Sequence, residues 1–306
     1  MKILPKVKKI LNSFDSENAG VLKNLAQLFN HGKTATSGKL MLLSVSEGLK
    51  KGPAYIYNNH PSTYNPHFHF QIASDAELSG LIAPIGVIET GARFFAGEIP
   101  LILEVNTNTS LNTERIAPTT ALTSNVKDAL RLGCVGICYN LVPGSDRANE
   151  NYEDFREIAR EAKDNGLFVM TNIEPRGGFI SLEGENSLDI LSYGVHIAAN
   201  LGANIINCNI PTDYVEQPKA KRIYKDVSKR DKSDRLKHIV ESAFSGNKIV
   251  TFNSSNKIDY KDISDETKCI KDANANGVVF STETLMQEYN SVINYFDQIS
   301  KLYIGQ

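Results

Sequence analysis

The chain has 306 residues, which is long enough for a large domain with an ample core. Its formal net charge of −2 gives the chain as a whole no electrostatic attraction to nucleic acid or to an anionic membrane. Apolar runs stay well short of the roughly 18 residues of a transmembrane helix, and the basic N-terminus lacks the apolar core of a signal peptide. We therefore expect a globular protein with neither nucleic acid nor membrane as a partner.

The cysteines indicate no metal site. Cys134 and Cys138 share an apolar run and lack a second His or Cys pair at zinc spacing, and Cys208 and Cys269 stand apart. Buried, reduced thiols are typical of the cytosol, so the pattern predicts a cytoplasmic protein without a cofactor metal.

Predicted strands and helices alternate along the chain after an N-terminal helical segment, residues 1–36. Asn65 is predicted to cap a helix that begins at Pro66. The predicted strands are residues 39–45, 81–87, 99–106, 134–142, 167–173, 201–209, 248–252 and 277–281. The other predicted helices include residues 119–132, 151–165, 188–201, 234–244, 265–276 and 282–303.

About eight strand–helix alternations in a chain of this length predict an α/β fold, a TIM (β/α)₈ barrel with an N-terminal helical extension. We predict a single domain, residues 1–306, with barrel strands within 39–281 and a C-terminal helix within 282–306. A doubly wound α/β sheet is the alternative, but no Gly-rich dinucleotide fingerprint follows the first strand. The polar stretch 219–237 carries both signs of charge and is predicted to be a solvated loop.

Polar residues stand where several predicted strands end. Glu104 and Asn106 close the third strand, Glu174 follows the fifth, and Asn209 closes the sixth. Because strand ends meet at the mouth of such a barrel, we expect these side chains to line it. Carboxylates among amides suit a cationic or polyhydroxylated ligand better than a bisphosphate. The alternative is a water-filled mouth with no ligand.

Several short motifs agree with one known family. They are Val21–Lys33 (VLKNLAQLFNHGK), Glu98-Ile99-Pro100 with Asn106, Pro143-Gly144-Ser145, Pro175-Arg176-Gly177 and Leu201-Gly202-Ala203-Asn204. With the order and spacing of the strands, they resemble class I fructose-bisphosphate aldolases of the bacterial and archaeal DhnA-like type. The resemblance implies a homo-oligomeric TIM barrel, a lyase of glycolysis, that cleaves fructose 1,6-bisphosphate to dihydroxyacetone phosphate and glyceraldehyde 3-phosphate.

The chemistry implied by the resemblance needs particular groups at the strand ends. A lysine at the end of strand six forms a Schiff base with the sugar phosphate, and the iminium accepts the electron pair of the broken bond. An aspartate after strand one and a tyrosine after strand four move protons. Backbone amides after strands seven and eight, helped by an arginine, hold a phosphate.

At these positions the sequence departs from the family pattern. The Schiff-base lysine position falls on Asn209, the aspartate position on Ser46 and the tyrosine position on Val142. A lysine in strand three is replaced by Glu104. The phosphate turns read Ser254-Ser255-Asn256 and Ser281-Thr282. An amide has no nucleophilic amine and a valine has no exchangeable proton, so we predict an aldolase-family protein whose Schiff-base activity is impaired or absent. The remaining candidate ligand-binding residues are Arg176, Glu104, Asn106, Asn207, Ser254, Ser255, Ser281 and Thr282.

Two other interpretations stay open. An active aldolase with a relocated lysine would use one of Lys50, Lys51, Lys219, Lys221 and Lys225. Alternatively, Cys208 is a nucleophile, which requires its side chain to face into the barrel. If Asn207 and Asn209 face inward, Cys208 faces the helices instead. Arg176 either binds an anionic ligand or pairs with Glu174.

Overall fold

In the described part of the chain, eight parallel strands close into one barrel in the computed structural model. The structure describes residues 3–58, 60–111, 118–228, 231–254 and 260–305, and their side chains except at 228 and 260–263. The strands are β1 (Leu40–Ser44), β2 (Gly80–Pro84), β3 (Leu101–Glu104), β4 (Gly136–Leu141), β5 (Phe168–Ile173), β6 (Ile205–Cys208), β7 (Ile249–Asn253) and β8 (Gly277–Phe280). Each strand lies beside its neighbours in chain order, and β8 pairs with β1. The predicted TIM barrel is confirmed.

Helices precede the barrel and follow most of its strands. The α-helices are Pro5–Leu11, Ala19–Phe29, Glu47–Lys51, Pro53–Tyr57, Pro66–Asp75, Ile85–Gly91, Val126–Arg131, Ala148–Asp164, Leu188–Leu201, Lys221–Ser228, Lys232–Ser242, Tyr260–Asp272 and Tyr289–Ile304. Short 3₁₀ helices are Asn12–Phe14, Pro61–Tyr64, Gly184–Asn186 and Thr282–Leu285. Among the described residues, no helix combines the length and apolarity needed to cross a bilayer.

The two faces of the strands bury two different apolar layers. Leu42, Ile102 and Met170 belong to a cluster inside the barrel, whereas Leu43 and Leu103 pack outward against the helices. This alternation follows from the period of two along a strand. It fixes which side chains beyond the strand ends face the barrel axis.

The N-terminal helix Ala19–Phe29 belongs to the inner cluster and covers the amino end of the barrel. Leu25 and Leu28 are fully buried there. Asn24 donates a hydrogen bond to the carbonyl of Gly166, 2.8 Å away, in the turn before β5. With this end covered, ligands reach the barrel from its carboxyl end.

Apart from shifts of a few residues at element ends, four predicted elements are wrong in part. The predicted helix 282–303 is divided into the 3₁₀ helix Thr282–Leu285 and the α-helix Tyr289–Ile304. Three other elements also differ from the structure. Residues 85–87, predicted to extend the second strand, begin the helix Ile85–Gly91. The predicted helix 119–132 is shorter: Ala121–Leu122 pairs with Asn106–Thr107 as a small antiparallel ribbon, and a capping box at Asn125 starts the helix Val126–Arg131. The cap supplies a stronger start signal than the polar residues before it.

The predicted loop 219–237 is the third of these elements. It contains the helix Lys221–Ser228 and the start of the helix Lys232–Ser242, in which Leu236 and Ile239 are buried. The mixed charges therefore lie on helices with one apolar face, a pattern that the charge content alone conceals.

The predicted helix cap at Asn65 is confirmed, because the Asn65 side chain accepts a hydrogen bond from the backbone amide of His67 at 3.1 Å.

The closure of the barrel by its N-terminal helix predicts a stability effect. Leu25→Ala should lower the free energy of unfolding by about 2–5 kcal/mol, since it leaves a cavity in a fully buried layer. Leu130→Ala is the matched control, because Leu130 is 43% exposed and should change stability by about 0.5 kcal/mol or less. Urea denaturation followed by circular dichroism measures both. Equal stability of Leu25→Ala and the unmutated protein would contradict a packed role for this helix.

Candidate functional site at the barrel mouth

A cavity of about 930 Å³ opens at the carboxyl end of the strands. Its floor is apolar, formed by side chains such as Ile82, Met170 and Val279, which face the barrel axis. Its wall is polar and comes from the strand ends and the segments that follow them. The structure therefore places a polar chamber where TIM-barrel enzymes have their active sites.

Most of the candidate binding residues meet in this cavity. Its lining includes five of them, Glu104, Arg176, Asn207, Ser254 and Ser281, together with Asn209, the position that the resemblance assigns to the Schiff-base lysine. Ser255 lies outside the described residues. Asn106 and Thr282 are fully buried behind the lining.

The positions Ser46 and Val142 do not line the cavity. Ser46 is buried at the start of the helix Glu47–Lys51, where its carbonyl accepts the amide of Lys50 at 3.1 Å. Val142 is 1% exposed, and its amide donates to Asn151 Oδ1 at 3.0 Å. Both residues therefore contribute to the backbone framework of the mouth.

Lys50 enters the mouth from the helix Glu47–Lys51 and is held by carboxylates. Its Nζ lies 2.7 Å from Glu174 Oε1 and 3.2 Å from Glu104 Oε1, and it donates to Asn140 Oδ1 at 3.3 Å. Burial by itself would lower the pKa of Lys50, but the charges of Glu104 and Glu174 outweigh it and raise this pKa above its ordinary value. Lys50 is therefore a fixed cation.

Glu174 is held by two cations. Besides Lys50, Arg176 donates from Nη2 to Glu174 Oε2 at 2.6 Å. Burial would raise the pKa of Glu174, but Lys50 and Arg176 outweigh burial and lower it. Of the two interpretations of Arg176, the structure contains the pair with Glu174.

Asn106 positions Asn140 from behind. Its Oδ1 accepts a hydrogen bond from the backbone N–H of Asn140 at 2.6 Å, and its Nδ2 donates to the backbone carbonyl of Asn140 at 3.0 Å. The Asn140 side chain in turn donates to Glu104 Oε1 at 2.8 Å. Asn106 thus acts on the cavity through Asn140 and Glu104.

A chain of amide side chains continues around the wall. Asn207 Nδ2 donates to Asn172 Oδ1 at 2.8 Å and to Asn253 Oδ1 at 2.7 Å. Asn253 donates to Asn209 Oδ1 at 2.7 Å, and Asn209 donates to Asn186 Oδ1 at 2.7 Å. The register explains the contacts, since Asn172 on β5 lies directly beside Asn207 on β6. The side-chain amide of Asn209, which the resemblance places at the Schiff-base lysine position, is therefore hydrogen-bonded on both sides.

Glu47 is a site residue that the motif comparison did not single out. Its Oε2 accepts hydrogen bonds from Thr282 Oγ1 at 2.6 Å and from the Thr282 amide at 3.2 Å. Burial raises the pKa of Glu47, while the bond from Thr282 opposes the shift. The available sequence signal was the spacing of three between Glu47 and Lys50, which places both on one face of a single helical turn.

The other proposed nucleophiles lie elsewhere. Among the lysine candidates, Lys50 and Lys51 line the cavity, whereas Lys219, Lys221 and Lys225 are exposed outside it. Cys208 is fully buried in the layer between strands and helices, and burial raises the pKa of its thiol. Asn207 and Asn209 face the cavity, so the strand register directs Cys208 away from it. Within the described residues, no cluster of three His, Cys, Asp or Glu side chains could hold a metal ion.

Comparisons with known proteins agree with this barrel. A family model described as DeoC/LacD family aldolase matches residues 63–280. A probable fructose-bisphosphate aldolase class 1 of Chlamydia muridarum is 24% identical over 97% of this chain and 88% of its own length. The fructose-bisphosphate aldolase class 1 of Thermoproteus tenax is 29% identical over 58% of this chain and 65% of its own length.

Solved structures have the same fold at low sequence identity. An archaeal fructose-1,6-bisphosphate aldolase with its catalytic lysine covalently bound to the carbinolamine intermediate has a TM-score of 0.74 at 20% identity, covering 96% of this chain and 98% of the other. A fructose-bisphosphate aldolase from Slackia heliotrinireducens DSM 20476 has a TM-score of 0.77 at 17% identity, covering 100% and 94%. The chain therefore belongs to the DeoC/LacD aldolase family, and its resemblance to class I fructose-bisphosphate aldolases is confirmed.

Proposed function

We propose that this protein is an aldolase-family barrel that binds a small molecule at its mouth and does not perform Schiff-base aldol cleavage. One observation carries the proposal. Asn209 lies at the position that the resemblance assigns to the Schiff-base lysine, and its amide is engaged by Asn253 and Asn186. An amide nitrogen has no available lone pair, so no iminium can form there.

The proton-transfer positions support the same proposal. Ser46 and Val142 replace an aspartate and a tyrosine, and neither lines the cavity. A serine hydroxyl is not a base near neutral pH, and a valine carries no exchangeable proton. The carbon–carbon cleavage of the family would thus lack both its electron acceptor and the proton-transfer groups at these positions.

A second candidate function is an active aldolase that uses Lys50 as a relocated amine. The observation in its favour is that Lys50 Nζ lies in the cavity wall beside carboxyl groups able to move protons. Against it stands the raised pKa of Lys50, because a protonated ammonium is not a nucleophile. Schiff-base lysines need the opposite shift.

Borohydride trapping separates the two candidates. We expect no covalent adduct with dihydroxyacetone phosphate or fructose 1,6-bisphosphate, since both lysine amines in the described lining of the cavity, those of Lys50 and Lys51, are paired with glutamates. Intact and peptide mass spectrometry provide the readout. The positive control is an archaeal aldolase whose lysine holds the carbinolamine. An adduct that maps to Lys50 would establish the second candidate instead.

The charge state of Lys50 can also be measured through stability. Lys50→Met should cost about 3–5 kcal/mol at pH 7, because it leaves Glu104 buried without a cation and leaves Glu174 with Arg176 alone. The penalty should shrink between pH 7 and pH 5. In the variant, a buried carboxylate without its cation takes up a proton more readily as the pH falls, and protonation removes the uncompensated charge.

The unmutated protein should behave differently with pH. The pKa of Glu174 is lowered, so its stabilising contribution is complete above its ordinary pKa and is lost only as the pH falls below that value. Lys51→Met is the matched control. The Lys51 side chain is 43% exposed and pairs with Glu283, so its loss should cost about 0–1 kcal/mol. Urea unfolding at both pH values gives the comparison, and a Lys50→Met protein of normal stability at pH 7 would indicate a neutral Lys50.

A further inference from the structure

The chemistry of the cavity wall identifies a class of ligand. Among the described residues, seven asparagines line the cavity, together with several serine and threonine hydroxyls. Six of the seven are linked into one chain by side-chain hydrogen bonds, and Asn140 joins it because Asn172 Nδ2 donates to Asn140 Oδ1 at 3.2 Å. In order along the chain, they are Asn140, Asn172, Asn207, Asn253, Asn209 and Asn186. Such groups both donate and accept hydrogen bonds and carry no net charge.

We propose that the barrel mouth binds an uncharged polyhydroxylated molecule, a sugar or sugar alcohol without phosphate groups. The inference rests on the proposed function, because it concerns the same cavity in a protein without Schiff-base chemistry. It differs from the activity of the relatives, which are named for a bisphosphate substrate.

The charges of the lining disfavour phosphate. Its cations in the described residues are Lys50, Lys51 and Arg176, and each is paired with a glutamate. A sugar bisphosphate carries about −1.5 to −2 per phosphate at pH 7. It would have to compete with those glutamates for every one of these cations.

Carboxyl groups outnumber the cations of the same lining. There are five of them against three cations, and they are Glu47, Glu104, Glu174, Glu185 and Glu266. Like charges in a partly enclosed chamber repel strongly because the local dielectric constant is low. An uncharged ligand avoids this repulsion.

Two of the described backbone amides at the phosphate end of the barrel are also engaged. TIM barrels commonly bind phosphate with the loops after the seventh and eighth strands and a short helix that follows. Here the Ser254 amide donates to the Val279 carbonyl at 2.9 Å, and the Thr282 amide donates to the Glu47 carboxyl at 3.2 Å. A carboxyl group of the protein itself thus lies where a phosphate oxygen would be held.

The asparagine side chains keep N–H groups that can bind the hydroxyl groups of a sugar. Each asparagine amide has two N–H groups, and within the described residues Asn209 Nδ2 and Asn253 Nδ2 each use one. The remaining N–H groups can donate to sugar oxygens, and the neighbouring carboxyl groups can accept from sugar hydroxyls. A cavity of about 930 Å³ lies near the upper end of the usual range for small-ligand sites, so a hexose or a disaccharide fits better than a triose.

Isothermal titration calorimetry on the full chain tests the proposal with a matched ligand pair. D-fructose and fructose 1,6-bisphosphate share a carbon skeleton and differ in the two phosphates. We expect D-fructose, D-sorbitol or sucrose to bind at millimolar concentration and the bisphosphate to bind at least about ten-fold more weakly than the best of them. The three probes distinguish a ring, an open chain and a disaccharide. Tighter binding of the bisphosphate, or no binding of any uncharged probe, would overturn the proposal.

A variant locates the binding. Asn253→Leu keeps the side-chain volume and removes the amide, so it should weaken the uncharged ligand by about ten-fold or more. Asn200→Leu is the matched control: Asn200 is exposed on the helix Leu188–Leu201, outside the cavity, and its loss should leave binding unchanged. Equal binding by Asn253→Leu would place the ligand elsewhere and contradict the inference. Thermal unfolding verifies that both variants fold. If one variant does not fold, the comparison of D-fructose with fructose 1,6-bisphosphate on the unmutated protein still tests the ligand class.

The two proposals fail in distinguishable ways. Calorimetry is done without reductant and reports ligand class, whereas borohydride trapping reports covalent chemistry. A trapped adduct would contradict the absence of Schiff-base cleavage. A clean trapping result together with preferred binding of the bisphosphate would overturn only the ligand class.

Discussion

The ion pairs of Lys50 with Glu104 and Glu174 govern the electrostatics of the barrel mouth. Lys50 follows β1, and Glu174 follows β5, which is four strands away in either direction around the barrel. The lysine side chain therefore reaches across the opening. A charge that is largely buried costs several kcal/mol if it loses its partner, so these three groups depend on one another. Once they are paired, Lys50 offers the cavity no free cation.

One turn of helix supplies both the carboxyl group that binds the Thr282 amide and the lysine that pairs with Glu104 and Glu174. Glu47 and Lys50 lie three residues apart in the helix Glu47–Lys51, so their side chains share a face. Glu47 reaches Thr282 after β8, and Lys50 reaches the opposite side of the barrel. A short segment after β1 therefore engages an amide at the usual phosphate end and neutralises the carboxylates of the other side.

The sequence was sufficient for those parts of the site that the strands themselves determine. The period of two along β6 predicted that Cys208 faces the helices if Asn207 and Asn209 face inward, and the structure has that arrangement. The sequence was not sufficient to identify Lys50, among the five candidate lysines, as the one held by carboxylates in the cavity wall. Its position depends on the path of the segment that follows β1. The helix Lys221–Ser228 was missed for a related reason, since its alternating charges conceal one apolar face.

The amide chain shows how a mouth with asparagine at the position that the resemblance assigns to the Schiff-base lysine has its side-chain hydrogen bonds satisfied. Neighbouring strands bring Asn140, Asn172 and Asn207 to the same level of the barrel, where each amide meets the next. Neutral partners of this kind carry no charge that needs compensation, unlike a buried ammonium. A lysine placed at Asn209 alone would break two of these bonds, and the described lining of the cavity contains no aspartate or tyrosine to move its proton. On the proposed function, this mouth therefore differs from the pattern that the resemblance implies at several coordinated residues and not at one.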